Sequence, residues 1–193
     1  MRGQRRRILG MMPGLVVGLA VVAAVAGGQT RTQKIKWVTE AEAYWGTSGS
    51  VGLVSEQAAS GHLSVEAPIA LPREERQTIP GSAAYRVALP HDATYRIWAL
   101  CWWPGNSCNS YLLTVDEAEP QVIGRDGTYG KYHWLQACQA YNLAAGEHTI
   151  ELINLEPGCR ADQILITDDL RWTPVRAMPP SGEWRRPEAE APD

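Results

Sequence analysis

The chain has 193 residues and a formal net charge of −3, a near balance of acidic and basic side chains. Its basic residues are scattered apart from Arg5-Arg6-Arg7, so the sequence predicts no surface for nucleic acid. It contains no Phe but eight Trp and seven Tyr. Because Trp and Tyr combine an apolar face with a polar group, this composition favours half-exposed aromatic surfaces.

Residues 1–28 have the pattern of an export signal. Arg2 and Arg5–Arg7 form a positive region, Ile8–Val25 is an apolar run, and Ala24-Val25-Ala26 fits a cleavage site. An uncleaved anchor is the alternative, since the run approaches the roughly 20 residues of a membrane-spanning helix. The sequence thus predicts a secreted, cell-envelope or periplasmic protein, which contacts a membrane only if this segment is retained.

The rest of the chain divides into a linker, one domain and a tail. Residues 29–35 form the predicted linker, and residues 36–175 contain short segments with the two-residue alternation of β-strands, clearest in His148–Leu155. Turn residues separate these segments and none has helical periodicity, which predicts an all-β fold, an antiparallel β-sandwich. Residues 176–193 are rich in Pro, Glu and Arg and are predicted to be disordered.

Two adjacent tryptophans lie at the mouth of a predicted hairpin. The strand from Tyr95 ends in Trp102-Trp103, and the turn Pro104–Ser107 follows. Neighbouring strand residues face opposite sides of a sheet, so one ring is expected in the core and one outside. The outer ring would be a platform for a flat ligand, unless the two rings are simply core and rim.

Four cysteines in an exported chain predict two disulfides. Of the three possible pairings we favour Cys101–Cys108, which closes a short loop between neighbouring strands, and Cys138–Cys159. A zinc site is the alternative. It is disfavoured because six, 29 and 20 residues separate successive cysteines, whereas such sites normally contain close cysteine pairs.

Several short segments carry motifs that occur in one order. They are EAE at Glu40–Glu42, ASG at Ala59–Gly61, YRIW at Tyr95–Trp98, NSY at Asn109–Tyr111, HW at His133–Trp134, GEHTI at Gly146–Ile150 and DQILIT at Asp162–Thr167. Together they resemble carbohydrate-binding modules of the galactose-binding-like jelly-roll type, close to families six and thirty-five. This resemblance implies a non-catalytic module that binds a plant-type or microbial polysaccharide.

The resemblance also implies a structural Ca²⁺ held by Glu40, Glu42 and Asp162. Glu40 and Glu42 lie two residues apart, so on a strand both carboxylates would face one side. Oxygen ligands of this kind are what Ca²⁺ requires. The alternative is that both are solvated strand acids.

Candidate sugar contacts combine aromatic rings, which stack on the C–H faces of sugars, with polar groups that bond to hydroxyls. They are Trp103, Asn109, Tyr129, His133 and Trp134. The resembled modules often carry an Asn just before the last-strand Asp, but here Gly158–Ala161 reads GCRA. Either Arg160 takes the place of that Asn, which would suit an acidic sugar, or the sugar site is lost or moved.

Two other functions are weighed against glycan binding. A disulfide-stapled structural or adhesive β-sandwich would keep the Ca²⁺ and bind no sugar. A glycosidase would need two carboxylates across a cleft, for which Glu42 and Asp162 are the candidates. We predict no enzyme activity, because both acids are better explained as metal ligands and no other catalytic motif is present. An associated enzyme or surface protein is a further expected partner.

Overall fold

The computed structural model describes residues 34–49, 51–66, 81–154 and 156–180. The predicted signal or anchor at residues 1–28, most of the linker and the tail beyond residue 180 lie outside the described residues. Within the described ranges, no helix is long and apolar enough to cross a membrane.

The described residues form short strands joined by turns. The strands are β1 (Lys36–Glu40), β2 (Gly46–Ser48), β3 (Gly52–Ser55), β4 (Leu63–Glu66), β5 (Ser82–Leu89), β6 (Ala93–Trp102), β7 (Ser110–Val115), β8 (Gln121–Gly124), β9 (His133–Gln136), β10 (Tyr141–Leu143), β11 (Gly146–Asn154) and β12 (Arg160–Thr167). Two single-turn 3₁₀ helices, Ala41–Ala43 and Ser60–His62, lie between them.

The strands form two sheets whose pairs are all antiparallel. The large sheet has the order β10-β6-β12-β4-β3, with β1 also paired to β12 and β9 to β6. The small sheet has the order β2-β5-β11-β7-β8. The predicted all-β antiparallel β-sandwich is confirmed.

The core lies between the sheets and follows the alternation along the strands. In β6, Tyr95, Ile97 and Ala99 point inward and are fully buried, as is Tyr85 of β5 opposite them. Burying one such large side chain contributes about 1.5–3 kcal/mol, so these strands hold the two sheets together.

The outer face of the large sheet is covered by residues 172–178, the C-terminal strap. Trp98 of β6 packs there with Val38 and Leu165, and Trp172 and Met178 of the strap close over them. Residues 176–178 of the strap belong to the tail that the sequence predicts to be disordered. In the structure the Arg176 carbonyl accepts a bond from Trp134, and the backbone of Met178 bonds to the Gln163 side chain. These bonds hold the segment against the large sheet, which accounts for its departure from the predicted disorder.

The structure contains neither predicted disulfide, although it describes all four cysteines. Cys159 is fully buried before β12, whereas Cys138 is exposed and its thiol donates to the Val122 carbonyl. Cys101 is fully buried in the core, and that burial raises the pKa of its thiol. Cys101 points between the sheets, and Cys108 is half-buried against the same core, in the turn that begins at Gly105.

Candidate functional site

Three acidic side chains gather where β1 ends against β12. Glu40 is the last residue of β1 and lies opposite Gln163, while Glu42 lies in the following 3₁₀ turn. Asp162 lies at the register shift between Ala161 and Gln163 of β12. The expected geometry, with both glutamates on one strand, is therefore wrong: a turn and a bulge bring the acids together.

The turn at Ser60 binds two of these carboxylates. The Ser60 amide donates to Asp162 Oδ2 at 3.0 Å, and the Ser60 hydroxyl donates to Glu40 Oε1 at 3.0 Å. Gly61 follows in the left-handed region, at φ +62°, and a Cβ there would lie 3.1 Å from Glu42 Oε1. The glycine of the ASG segment thus allows both the turn and the approach of Glu42.

The remaining oxygens of the three acids lack partners. Glu40 Oε2, Glu42 Oε2 and Asp162 Oδ1 are buried and accept no hydrogen bond from any described residue. Burial, with the charges of Glu40 and Glu42 adding to it, raises the pKa of Asp162 to about 7. Burial also raises the pKa of Glu42. The charge of Glu40 therefore opposes the ionisation of Glu42, and the charges of Glu40 and Glu42 oppose that of Asp162.

Unpaired carboxylate oxygens of this kind fit a hard cation such as Ca²⁺ by their chemistry. In the present arrangement, however, no three His, Cys, Asp or Glu side chains of the described residues are placed to surround one ion. Holding Ca²⁺ would therefore require Glu40, Glu42 and Asp162 to move closer together.

A cavity of about 330 Å³ lies between the large sheet and the strap. It is lined by residues 131–134, of which His133 and Trp134 begin β9, and by strap residues 174–177. Leu100 and Asp162 also line it. Its volume lies within the range of small-ligand sites, about 300–1,000 Å³.

His133 and Trp134 are the predicted contacts that reach this cavity. Because Trp134 pairs with Leu100 of β6, its ring lies on the outer face of the large sheet. Its Nε1 donates to the Arg176 carbonyl of the strap at 2.9 Å. His133 Nε2 lies 2.9 Å from Asp126 Oδ2, an ion-pair distance without hydrogen-bond alignment.

Trp103, one of the predicted sugar contacts, lies in the core instead. It continues the inward alternation of β6, is fully buried, and its Nε1 donates to Asp126 Oδ1 at 3.2 Å. The centroid of its ring lies 5.7 Å from that of the Tyr111 ring. Trp102 is the outward ring, which is half-buried.

The other predicted contacts lie outside the cavity lining. Asn109 is buried, and its carbonyl accepts a bond from the Arg125 amide at 2.9 Å. Tyr129 is 38% exposed and donates to Asn106 Oδ1 at 3.2 Å. Neither side chain contributes to the cavity walls.

Arg160 does not present a free charge to an acidic sugar, which corrects that expectation. Its Nη1 donates to Glu56 at 2.6 Å, and its Nε donates to Glu66. The guanidinium also lies over the Trp102 ring, 4.5 Å from its centroid. Two carboxylates therefore already balance its charge.

Sequence reasoning missed Lys131, Tyr132 and the strap as parts of the site. Tyr132 has a buried hydroxyl beside the Ser64 side chain. Its place beside His133 and Trp134 in one short aromatic run is the signal that could have included it. The strap has no such signal, because an irregular segment shows no periodicity.

No protein-family model matches the chain, and no curated protein matches it in sequence. Solved structures do match its fold. A family 35 carbohydrate-binding module from Clostridium thermocellum is 14% identical with a TM-score of 0.50, and the match covers 69% of this chain and 97% of the module. Podospora anserina GH26-CBM35 β-(1,4)-mannanase is 13% identical with a TM-score of 0.53, and the match covers 75% of this chain and 29% of the enzyme.

Phanerochaete chrysosporium exo-β-1,3-galactanase also matches, at 16% identity and a TM-score of 0.51. That match covers 67% of this chain and 28% of the galactanase, so this chain corresponds to less than a third of that enzyme. The chain therefore has the galactose-binding-like jelly-roll fold of carbohydrate-binding modules.

Proposed function

We propose that this protein is an exported, non-catalytic carbohydrate-binding module that binds a glycan in the cavity beneath the C-terminal strap. The observation that carries the proposal is the cavity itself, which combines the Trp134 ring with the buried Tyr132 hydroxyl on a carbohydrate-module fold. An indole presents an apolar face to a sugar ring, and the Tyr132 hydroxyl is suited to the hydroxyls of the sugar.

A structural Ca²⁺ at Glu40, Glu42 and Asp162 is part of the proposal. Its support is the set of three buried carboxylate oxygens without hydrogen-bond partners. The ion would offset the mutual repulsion of these acids and fix the Ser60 turn against β12. Export rests on the signal-like pattern of residues 1–28.

Thermal unfolding tests the proposal directly. The full chain is heated with Ca²⁺ or a chelator, alone and with β-1,3-galactan, β-1,4-mannan and acidic oligosaccharides. The galactan and mannan are suggested by the galactanase and mannanase that share the fold. A glycan at about a hundredfold its Kd is expected to raise the midpoint by roughly 5–10 °C.

Trp134→Ala should abolish the sugar-induced rise. Trp45→Ala is the matched control, because Trp45 is 50% exposed and its amide bonds to β5 of the other sheet. A loss of the rise in both variants, or in Trp45→Ala alone, would contradict the site.

A structural β-sandwich without sugar affinity is the second candidate. It is favoured by the strap, which already covers the outer face of the large sheet. A midpoint that rises with Ca²⁺ but with no glycan would support this second function.

A further inference from the structure

Three of the four cysteines belong to one hydrophobic cluster between the sheets. Cys101 and Cys159 are fully buried members of that cluster, and Cys108 is half-buried and packs against it. Cys138 is exposed, and its thiol donates to the Val122 carbonyl at 3.5 Å. The core therefore contains a group of three thiols, which raises the question of whether two of them can be joined.

The chain around the start of β7 runs along the turn that precedes β12. The Asn109 amide donates to Glu156 Oε2 at 2.5 Å, and the Tyr111 hydroxyl donates to the Cys159 carbonyl at 2.5 Å. Cys108 comes directly before Asn109 in the chain. The two bonds therefore bring the segment that begins at Cys108 against the segment that ends at Cys159.

The sulfur of Cys159 faces the segment that begins at Cys108. Burial raises the pKa of the Cys159 thiol, and a bond from the Ser110 amide to its sulfur opposes that rise. Charges on Glu156 and Cys108 add to the effect of burial. The Cys159 sulfur thus lies against the backbone two residues after Cys108, close enough for the two thiols to influence each other.

Cys101 is the competing partner for Cys159. In the register of β6 against β12, Cys101 lies opposite Ala161, which is two residues beyond Cys159. Diagonal neighbours of this kind have Cα atoms about 7–8 Å apart, beyond the roughly 4.4–6.8 Å that a disulfide spans. The sheet therefore holds Cys101 out of bonding range, whereas Cys108 lies in a turn that can adjust.

We propose that Cys108 and Cys159 form a disulfide in an oxidising compartment and that this bond joins the two sheets. Cys108 comes two residues before β7 of the small sheet, and Cys159 directly precedes β12 of the large sheet. The bond replaces both pairings favoured from the sequence and leaves Cys101 and Cys138 as thiols. Export, which the pattern of residues 1–28 predicts, would place the chain in such a compartment.

The oxidant is a small disulfide from solution, such as oxidised glutathione. The sulfur of Cys108, the more accessible thiol of the two, attacks it, which forms a mixed disulfide and releases one glutathione thiol that carries the Cys108 proton. The Cys159 sulfur then attacks the Cys108 sulfur, which forms the protein disulfide and releases the second glutathione with the Cys159 proton. Two protein thiols are oxidised, and one glutathione disulfide is reduced to two thiols.

The bond should stabilise the fold, because it closes a loop of about 50 residues and so restricts the unfolded chain. The unfolding midpoint of the oxidised chain should lie roughly 10 °C above that of the reduced chain. Cys108→Ser should abolish this difference. Cys138→Ser is the matched control and should keep it, since it removes the exposed thiol. A difference that persists in Cys108→Ser, or that disappears in Cys138→Ser, would overturn the pairing.

Peptide mapping of the full chain identifies the bond directly. The chain is oxidised with glutathione disulfide, its remaining thiols are alkylated in denaturant, and it is cleaved without reduction. Cleavage after Trp102 separates the first two cysteines of the chain, and cleavage after Glu147 separates the last two. Mass spectrometry then shows which two of the four peptides are joined.

The expected result is one pair of peptides joined through Cys108 and Cys159, with Cys101 and Cys138 alkylated. A link from Cys159 to Cys101 or to Cys138 would overturn the proposal in favour of that other pairing. Four alkylated cysteines after oxidation would show that the core thiols do not form a bond, and would overturn it as well.

Discussion

Gln163 and Met178 form a reciprocal pair of hydrogen bonds. The side-chain Nε2 of Gln163 donates to the Met178 carbonyl at 2.6 Å, and its Oε1 accepts from the Met178 amide at 2.9 Å. The same Nε2 lies 2.9 Å from Glu40 Oε1. One fully buried amide therefore connects the strap to the edge of the acidic cluster.

Replacing this amide should release the strap. Gln163→Leu removes both bonds to Met178 and one of the two donors to Glu40 Oε1, which should cost about 1–3 kcal/mol of unfolding free energy in urea. Hydrogen exchange at the Met178 amide should accelerate. Gln136→Leu is the control, since the one bond that the Gln136 side chain forms with a described residue is to the adjacent Ala137 carbonyl. Unchanged exchange at Met178 in Gln163→Leu would contradict the claim that the Gln163 side chain holds the strap on the sheet.

The two adjacent tryptophans should respond differently to truncation. Trp103→Ala empties a fully buried site and should cost about 3–5 kcal/mol. Trp102→Ala removes a half-buried ring and its contact with Arg160, and it should cost clearly less. Urea denaturation measures both. An equal or reversed order would mean that the inward residue of this pair is wrongly assigned.

The acidic cluster predicts a variant whose effect depends on Ca²⁺. In chelator, Glu42→Gln should raise the unfolding midpoint, because it removes a charge that opposes those of Glu40 and Asp162. In Ca²⁺ the same variant should lower the midpoint, since it removes a ligand. Glu147→Gln, at an exposed position, should change neither. The same sign of change in both conditions would contradict the metal site.

Asp162 should also give a pH dependence in chelator. Burial and the neighbouring acids raise its pKa from 3.8 to about 7, so the folded state holds this proton more tightly than the unfolded state. Its contribution to stability is therefore present below pH 3.8 and is lost as the pH rises through about 7. The midpoint of Asp162→Asn should fall less than that of the original chain between pH 5 and 8. Parallel curves would show that this carboxyl is not perturbed.

Asp168 should show the opposite dependence at acid pH. Burial opposes its ionisation, but bonds from the Ile35 amide at 2.8 Å and from His91 and Lys34 outweigh burial and lower its pKa. A lowered pKa contributes stability that is present above the ordinary value of 3.8 and is lost as the pH falls through the folded-state value. Asp168→Asn should therefore destabilise the protein at pH 7. It should also make the stability fall less steeply as the pH is lowered through the acid range. Asp169→Asn is the control, because within the described ranges the Asp169 carboxylate accepts a bond from the nearby Arg171 amide alone.

The sandwich could be predicted from sequence because alternation in strands such as β6 and β11 is set locally, by side chains that point to alternate faces. The site could not be predicted from sequence as reliably as the fold. Whether Trp102 or Trp103 turns inward depends on the register of β6 against β12. The position of Asp162 depends on a bulge, and the strap is held by bonds from Gln163 and Trp134 that leave no periodic pattern in the chain.

The most direct measurement is the indole N–H region of an NMR spectrum recorded while the oligosaccharide that gives the largest midpoint rise is added. Trp134 donates to the Arg176 carbonyl beside the cavity, so its indole signal should shift in proportion to binding. The indole of Trp103, which bonds to Asp126 in the core, should move little. Shifts confined to exposed Trp45, or no shift of the Trp134 signal at saturating glycan, would contradict a binding site beneath the strap.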